Sequence, residues 1–321
     1  MNSQITSMEN NTVVREFILV GLTNAPELQV PLFVMFTLIY LNTVIGNLGI
    51  IMLILLDSRL HTPMYFFLSN LSLVDLCYSS TITPKVMAGF LTGDKVISYN
   101  ACATQMFFFI VFATVENYLL ASMAYDRYAA VCKSLHYTST MTTVVCASMA
   151  IGCYSLGFLN ASINVGDTFC LSFCLSMIHH FFCDVPAVMT LTCSGNHIGE
   201  QILILISSFN VFLALFVILT SYLFIFITIS KMHSRQRYQK ALSTCGSHLI
   251  TVSIFYGTVI FMYLQPSSSH SMGTGRIASV FYSMVIPMLN PLVYSLRNKE
   301  VKSAFKKVVE KAKLLLTLAV I

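Results

Sequence analysis

The sequence predicts an all-α membrane protein, a seven-transmembrane helix bundle with a short amphipathic C-terminal helix on the cytoplasmic side. Two observations support this fold class. Of the 321 residues, 56% are hydrophobic and only 10% are charged, whereas a soluble domain carries about 25% charged residues. The apolar residues also gather into stretches of at least about 17–25 residues, the length that crosses a bilayer as a helix.

Seven such stretches follow one another along the chain, separated by prolines and polar clusters. They cover residues 29–55, 63–83, 100–125, 141–162, 199–229, 242–264 and 275–296. No internal repeat or second domain interrupts them. We therefore expect residues 1–28 to form an extracellular N-terminus, 29–297 the seven-transmembrane domain, and 298–321 a cytoplasmic amphipathic helix and tail.

The lysine-rich tail predicts the eighth helix. Val301, Phe305, Val308 and Val309 fall on one face at helical spacing, and lysines occupy other positions. A helix divided in this way lies in the plane of the membrane surface, with its apolar face buried among the lipids.

Lysine and arginine positions predict the orientation, because these residues are enriched in cytoplasmic loops. Four of the eighteen, Arg15, Lys85, Lys95 and Arg276, fall at one set of span ends. The other fourteen, at the opposite ends, are Arg59, Arg127, Lys133, Lys231, Arg235, Arg237, Lys240, Arg297, Lys299, Lys302, Lys306, Lys307, Lys311 and Lys313. We therefore expect a multi-pass plasma-membrane protein with its N-terminus outside, where Asn10 lies in a glycosylation sequon. The net charge of +5 then reflects a cytoplasmic belt facing anionic membrane lipid, not nucleic-acid binding.

Cysteines concentrate on the expected outer side. Cys170, Cys174, Cys183 and Cys193 lie in the longest loop, and Cys102 lies at the outer start of the third span. Disulfides form in that oxidising compartment. Five cysteines are an odd number, so at least one stays unpaired.

A histidine pair next to one of these cysteines raises the question of a metal site. His179, His180 and the thiolate of Cys183 are suitable ligands. A disulfide would consume the thiolate, however, so we predict no metal site and interpret the segment as a loop packed over the helix ends.

Few polar side chains lie within the spans, and those few are informative. They are Asn47, Asp75, Glu116, Asn117 and Asn290. Asp75 and Glu116 both fall near mid-membrane, where two neighbouring carboxylates share a proton or hold a cation between them. A sodium- or proton-linked switch is one interpretation, and a hydrogen-bonded network that holds the helices together is the other.

Two motifs lie near the inner ends of spans. In the seventh span, Pro291 removes a backbone hydrogen bond, Asn290 can satisfy freed groups, and Tyr294 can exchange partners, which predicts a hinge. After the third span, Arg127 can pair with Asp126 at rest and lose that partner when neighbouring helices move outward. Such an ion pair is a plausible two-state element.

These residues together resemble a known family. The general features are Gly46-Asn47, Asp75, Cys102, Asp126-Arg127-Tyr128 and Asn290-Pro291-Leu292-Val293-Tyr294. More specific stretches are LHTPMYFFLSNLSLVD at 60–75, MAYDRYAAVC at 123–132, SY at 221–222, KALSTCGSH at 240–248 and PMLNPLVYSLRN at 287–298. From about residue 15 to 313 the chain resembles the rhodopsin-like G-protein-coupled receptors and, within them, the olfactory (odorant) receptors of the tetrapod-type class II branch.

The resemblance implies two disulfides, Cys102–Cys183 and Cys174–Cys193, although Cys170 could take the place of Cys174. It also implies a ligand site among the third, fifth, sixth and seventh spans. By position, that site would be lined by Phe109, Ile110, Ala113, Thr114, Ile206, Ser207, Asn210, Val259, Ile260, Tyr263 and Ser283. A mostly apolar set with a few hydroxyl or amide groups suits a small hydrophobic molecule.

The function implied is that of an odorant-activated receptor in olfactory cilia, which is not an enzyme and raises cyclic AMP through a stimulatory, olfactory-type G protein. Its inner switch residues would be Asp126, Arg127, Tyr128, Tyr222, His248, Asn290, Pro291 and Tyr294. No cofactor is expected beyond a possible sodium ion near Asp75 and Glu116. The alternatives are a seven-helix receptor for another class of ligand and an ion-conducting transporter or channel.

Overall fold

The computed structural model describes residues 14–23, 25–193, 197–231, 235–264 and 272–319. In these residues, seven long helices pack as one bundle, and an eighth helix lies beside them. The first six are α1 (Pro26–Leu56), α2 (Pro63–Thr92), α3 (Tyr99–Cys132), α4 (Thr143–Phe169), α5 (His197–Ser230) and α6 (Arg235–Leu264). Helix α7 consists of Met272–Val280, a π-helical segment Phe281–Val285, and Ile286–Arg297, and α8 covers Lys299–Ala319. Shorter helical turns occur at Ser58–Leu60, Ser134–His136, Tyr137–Thr140 and Val185–Met189. The predicted fold class is confirmed.

Several helices are longer than the predicted spans. Helix α3 reaches Cys132 where the sequence predicted an end at residue 125, and α2 reaches Thr92 instead of residue 83. Hydropathy detects only the part of a helix that lies inside the hydrocarbon layer. Backbone hydrogen bonds allow the helix to continue beyond that layer.

Within the described ranges, five helices are long and apolar enough to cross a membrane. They cover Pro26–Leu56, Tyr99–Cys132, Thr143–Phe169, Ile204–Ser230 and Arg276–Ser295, and a shorter apolar stretch covers Cys245–Val259. Helix α2 contains more polar side chains, including Ser72, Asp75, Ser79 and Thr83. All four are buried in the bundle, so its polarity does not face the surroundings.

Two glycines allow helices to approach closely. A Cβ atom at Gly157 of α4 would lie 2.9 Å from the carbonyl oxygen of Val111 on α3, and one at Gly46 of α1 would lie 2.9 Å from Cγ of Pro291 on α7. Real Cβ atoms do not come so close, so both contacts depend on the absence of a side chain.

A small sheet covers one end of the bundle. Strand β1 (Glu16–Leu19) lies between β2 (Val96–Ser98), to which it is antiparallel, and β3 (Met177–Ile178), to which it is parallel. Phe17 of β1 is fully buried, with its ring 5.3 Å from that of Phe173. The sequence does not predict this strand, because four residues are too few for alternation to be distinctive and both partner strands are distant in sequence.

The two ends of the bundle differ in what they carry. The end with this sheet and the two disulfides, Cys102–Cys183 and Cys174–Cys193, is the disulfide end. The opposite end, where α3 carries Arg127, is the Arg127 end.

Helix α8 starts at a cap that also ties it to α2. The Asn298 side chain accepts from the backbone N–H of Glu300 at 2.9 Å, and the Tyr65 hydroxyl donates to the Glu300 carboxylate at 2.6 Å. Val301 and Ala304 are buried against the bundle. Phe305, predicted on the same face as Val301, is 62% exposed instead. The helix therefore has two apolar sides, one against the protein and one against its surroundings.

Candidate functional site

The long loop at the disulfide end is fixed from several directions. Cys183 is joined to Cys102 of α3, and Cys193 to Cys174 within the loop, while Cys170 is a free, exposed thiol. Gln105 of α3 accepts from the backbone N–H of Cys183 at 3.0 Å and donates to the carbonyl of Thr81 on α2 at 3.1 Å. One side chain thus holds the loop, α2 and α3 together, in addition to the disulfide.

His180 lies buried inside this loop, with both ring nitrogens engaged. Its Nδ1 accepts from the Phe182 N–H at 3.4 Å, so the proton lies on Nε2, which contacts the Ser279 hydroxyl of α7 at 3.1 Å. Burial disfavours the charged ring and lowers its pKa to about 4. No group of three or more His, Cys, Asp or Glu side chains that could hold a metal occurs among the described residues.

A second titratable group in the loop, Asp184, has its pKa shifted in the opposite direction. Burial raises the pKa of the Asp184 carboxyl to about 6, against hydrogen bonds from the Val185 backbone and the Tyr282 hydroxyl, which favour the charged form. Burial therefore disfavours the charged form of both His180 and Asp184 where the loop covers the bundle.

One of the predicted ligand residues, Phe109 of α3, packs against this loop among aromatic rings. The Phe109 ring is 4.9 Å from Phe182 of the loop, 5.3 Å from Tyr78 of α2 and 6.0 Å from Tyr282 of α7. Phe109, Ile110, Thr114 and Ser283 are buried, and Ala113, Ile206, Ser207, Asn210 and Val259 are half-buried. The side chains of Ile260 and Tyr263 lie outside the described part of the chain, as does Asn10.

Several polar groups of this set already have partners. Thr114 accepts from Asn160 of α4 at 2.9 Å, and the Ser283 hydroxyl donates to the carbonyl of Ser279 at 2.6 Å. The Asn210 side chain accepts from the Tyr118 hydroxyl at 2.7 Å. Most of the surface that this set offers a ligand is therefore apolar.

A sizeable open groove lies elsewhere, between α2 and α3 at the disulfide end. It has a volume of about 510 Å³ and is lined by Thr81, Lys85, Val96, Ile97, Ser98, Ala101, Thr104, Gln105 and Phe108. It shares no residue with the predicted ligand set and lies outside the bundle interior. We attach no function to it, because its one charged side chain, Lys85, is paired with Asp94 at 3.1 Å.

The buried carboxylates meet at one asparagine. The Nδ2 of Asn290 donates to both oxygens of Asp75, at 3.2 and 3.0 Å, and to Glu116 at 3.3 Å. Asp75 and Glu116 are 0% and 1% exposed. The amide nitrogen of Asn290 thus bridges the two acids.

The hinge region differs from the sequence prediction in one respect. Pro291 has no N–H, so the carbonyl of Pro287 lacks its helical partner. That carbonyl accepts from Nδ2 of Asn47 on α1 at 3.0 Å, whereas Asn290 is engaged with the carboxylates. The residue that satisfies the freed group therefore comes from another helix. Nothing in the sequence near the proline signals this partner.

At the Arg127 end, an arginine is held by its neighbour. Nε of Arg127 donates to Asp126 at 3.0 Å and a second nitrogen also bonds that carboxylate, while Tyr137 donates to the other oxygen at 2.7 Å. Arg127 and Asp126 are 9% and 0% exposed. Tyr128 does not join this group. Its ring lies 5.8 Å from Phe224 of α5.

A histidine on α6 joins three helices nearby. The Nε2 of His248 donates to the carbonyl of Leu120 on α3 at 3.1 Å, so its Nδ1 accepts from the Tyr222 hydroxyl of α5 at 2.6 Å. Tyr294 of α7 is fully buried beside Thr251, and neither hydroxyl has a partner of ordinary length among the described residues. The Arg127 end is closed by these contacts.

The comparisons with known proteins agree with this geometry. The olfactory receptor family model matches residues 36–312. The chain is 75% identical to human olfactory receptor 5B3 over 308 residues, which is 96% of this chain and 98% of that protein. The chain belongs to the olfactory receptor family. It is also 63% identical to mouse olfactory receptor 5B21 over 308 residues, 96% of this chain and 97% of that one.

The receptor also resembles a solved structure in its fold. Squid rhodopsin superposes with a TM-score of 0.72 over 90% of this chain and 87% of that one, at 14% sequence identity. The likeness shows the shared seven-helix fold. As a member of its family, the chain is a multi-pass membrane receptor whose partners are a ligand and a heterotrimeric G protein, and it is not an enzyme.

Several residues of this receptor site were not predicted from the sequence. Gln105, Tyr137 and Tyr256 act through hydrogen bonds to other helices or loops. Polar residues in apolar helices are a general signal, and Asn117 was found that way, but its partners were not. Such pairings depend on helix rotation, which periodicity alone does not fix.

Proposed function

We propose that this receptor binds a small, mostly hydrophobic odorant inside the bundle, beneath the loop at the disulfide end, and activates a stimulatory, olfactory-type G protein to raise cyclic AMP. The observation that carries the proposal is the closed Arg127 end, in which Arg127 is buried against Asp126 and Tyr137. A G protein can engage this face only after these contacts open.

The orientation follows from chemistry at the two ends. Disulfides form in an oxidising compartment, which supports an extracellular disulfide end. Exposed lysines of α8, among them Lys302, Lys306 and Lys307, lie at the opposite end and suit anionic lipid of the cytoplasmic leaflet. In this topology residues 1–28 are extracellular with Asn10 glycosylated, 29–297 span the plasma membrane of olfactory cilia, and 298–321 are cytoplasmic.

Ligand binding would act by shifting a population. A ligand favours whichever arrangement it binds more tightly, and only that difference in affinity moves the equilibrium. The residues proposed for the site come from α3, α5, α6 and α7, so a ligand there can change how these helices pack. At the Arg127 end, two sets of contacts must break. One joins Arg127, Asp126 and Tyr137, and the other joins His248 and Tyr222.

A sodium ion near Asp75 and Glu116 forms the second part of the proposal. Two buried carboxylates that both face Asn290 need a counter-charge or a shared proton. Hard oxygen ligands of this kind suit a hydrated cation of small radius. Sodium titration of the thermal stability of purified receptor, with choline as the ionic-strength control, tests it. A sodium-specific rise in Tm that is lost in Asp75→Asn and in Glu116→Gln is expected. A rise on acidification with no sodium effect would assign a shared proton instead.

The main test measures cyclic AMP in cells that express the receptor and the olfactory G protein, across an odorant panel, with surface staining. We expect a dose-dependent rise that Arg127→Ala abolishes at normal surface level. The matched control is Arg59→Ala. Arg59 also pairs with an aspartate at the same end of the bundle, but its side chain is 53% exposed. Full signalling by Arg127→Ala would refute its role. Ion flux through the reconstituted receptor without cyclic AMP would support the channel alternative.

A further inference from the structure

A series of hydrogen bonds runs along α4 and ends at Thr114 of the proposed ligand set. The Thr168 hydroxyl donates to the carbonyl of Asn164 at 2.7 Å, and Nδ2 of Asn164 donates to the backbone carbonyl of Asn160 at 2.7 Å and to its Oδ1 at 3.0 Å. Nδ2 of Asn160 then donates to the hydroxyl oxygen of Thr114 on α3 at 2.9 Å. All four side chains are buried, so the series is shielded from water.

One backbone carbonyl fixes the direction of these bonds. The carbonyl oxygen of Asn160 can only accept, so the Asn164 atom beside it must be the amide nitrogen. The same nitrogen faces the Asn160 side chain, which must therefore present Oδ1 to it. Because Oδ1 of Asn160 lies on that side, its Nδ2 lies on the other and donates to Thr114. In this bond the Thr114 oxygen is the acceptor.

The proton of the Thr114 hydroxyl is therefore left for another partner. Thr104 on the same helix donates to a carbonyl of its own helix at 2.8 Å, as the Ser283 hydroxyl of the ligand set does at 2.6 Å. Thr114 donates to no acceptor among the described residues, and its hydrogen bond there is the one that it accepts from Asn160. A buried donor without a partner costs free energy, which a ligand with an acceptor atom at this position would recover.

The composition of the proposed ligand set limits what this acceptor can be. The set contains no Asp, Glu, Lys or Arg, so an ionised acid or amine would be buried without a counter-charge. A carbonyl oxygen accepts and has no proton of its own, whereas an alcohol brings a donor that needs a second partner. A ketone, aldehyde or ester carbonyl on an otherwise apolar molecule therefore suits the Thr114 hydroxyl best.

We propose that the ligand of this receptor is a neutral carbonyl compound whose oxygen accepts a hydrogen bond from Thr114, and that Asn160 is a positioning residue that keeps the Thr114 proton available to it. The inference rests on the proposed function and adds to it the chemical class of the ligand. Asn160 itself lies outside the predicted ligand set. Without it, the Thr114 hydroxyl is free to turn to the carbonyl of Ile110 in its own helix and is lost to the ligand.

The test compares three probes on one carbon skeleton, in a series of unbranched methyl ketones of increasing length. Each ketone is matched with the alkene in which a methylene group replaces the carbonyl oxygen, and with the corresponding secondary alcohol. Cyclic AMP is measured per surface receptor. In the wild type we expect the ketone to act at about a fivefold lower concentration than its alkene, the effect of one hydrogen bond, and at a lower concentration than its alcohol.

Variants of Thr114 and Asn160 show whether these residues give the preference for the ketone. Thr114→Val keeps the shape and removes the donor, so ketone and alkene should become equally effective, whereas Thr114→Ser retains the hydroxyl and should keep the preference. Asn160→Leu should remove most of it. The matched control is Thr104→Val, because that hydroxyl bonds the carbonyl of Asn100 in its own helix, and it should leave the preference unchanged. A loss of folded receptor lowers the responses to ketone and alkene alike and does not change their ratio.

A second readout does not depend on the G protein. A ligand that binds the folded state raises the melting temperature of purified receptor, and the concentration needed reflects its affinity. Ketone and alkene are compared in this way in the wild type and in Thr114→Val. We expect the same preference of about fivefold for the ketone in the wild type, and its loss in the variant.

The outcomes separate this inference from the proposed function. Thermal stabilisation that favours the ketone, without any cyclic AMP response, would support the carbonyl ligand and refute the proposed G protein. A cyclic AMP response confined to other odorants would refute the carbonyl ligand and leave the proposed function intact. Alkenes as effective as ketones in the wild type, or silence of the ketone series in both assays, would also overturn the ligand class. A preference that survives in Thr114→Val would overturn the role of Thr114, and one that survives in Asn160→Leu would overturn the positioning role.

Discussion

The side chain of Asn47 on α1 donates to the carbonyl of Pro287 on α7 at 3.0 Å, the carbonyl that Pro291 leaves without a helical partner. The same amide nitrogen also donates to the carbonyl of Thr43 at 2.9 Å. The proline break in α7 is therefore repaired by a neighbouring helix. Because this repair connects two helices, the hinge has a defined resting geometry.

Replacing Asn47 should weaken this repair. We expect Asn47→Leu to lower the free energy of unfolding by about 1–3 kcal/mol, since a buried carbonyl loses its partner. Thermal unfolding of purified receptor measures the change. Asn42→Leu is the control, because Asn42 is exposed and bonds only the carbonyl of Leu38 in its own helix. Equal losses of stability in both variants would contradict the repair.

Gly46 supports the same contact by its lack of a side chain. In Gly46→Ala the new Cβ would lie 2.9 Å from Pro291 Cγ, which forces α1 and α7 apart. Overpacking of this kind costs about 1–3 kcal/mol. At Gly49, one turn further along α1, a Cβ meets nothing within 4 Å, so Gly49→Ala should gain about 0.5–1 kcal/mol from helix propensity. Melting temperatures that shift in the same direction would refute this account of the contact.

The sequence predicted the seven-helix bundle because its signals are strong and local. Long apolar stretches and the lysine and arginine bias need no knowledge of tertiary structure. The partners of Asn47 and Asn117 could not be predicted in the same way. A helix presents its residues every 100°, and packing decides which neighbour each polar side chain meets. Strand β1 was missed for a similar reason, since it is defined by two distant segments.

Tyr137 in the turn after α3 should help to keep Arg127 closed. Its hydroxyl donates to Asp126 at 2.7 Å and so helps to fix the carboxylate that holds Arg127. Tyr137→Phe removes this bond, and we expect ligand-free cyclic AMP to rise about two- to tenfold per surface receptor, as for one hydrogen bond. Tyr40→Phe is the comparison, because its hydroxyl contacts Ser80 at 3.0 Å between α1 and α2. A fall in ligand-free signalling in Tyr137→Phe would show that the tyrosine supports the open arrangement instead.

His180 and Asp184 should give the receptor opposite responses to acid. The pKa of His180 is lowered to about 4, so between pH 6.5 and 4 the unfolded chain binds a proton that the folded loop refuses, and stability falls as the pH falls. The pKa of Asp184 is raised to about 6, so between pH 6 and 3.8 the folded state binds the extra proton, and stability rises as the pH falls. The two effects oppose each other over most of this range.

Replacing His180 and Asp184 one at a time should separate their two effects on the pH dependence of stability. Relative to wild type, His180→Gln should gain stability as the pH is lowered from 7 to 4.5, because it no longer carries the penalty. Asp184→Asn should lose stability over the same range, because the compensating protonation is absent. Melting temperatures of purified receptor at stepped pH measure both differences, and His179→Gln, next to His180 but exposed, is the control. Differences from wild type that do not change with pH would mean that the loop shifts the pKa of neither side chain, and would contradict the burial of both groups at the covered end of the bundle.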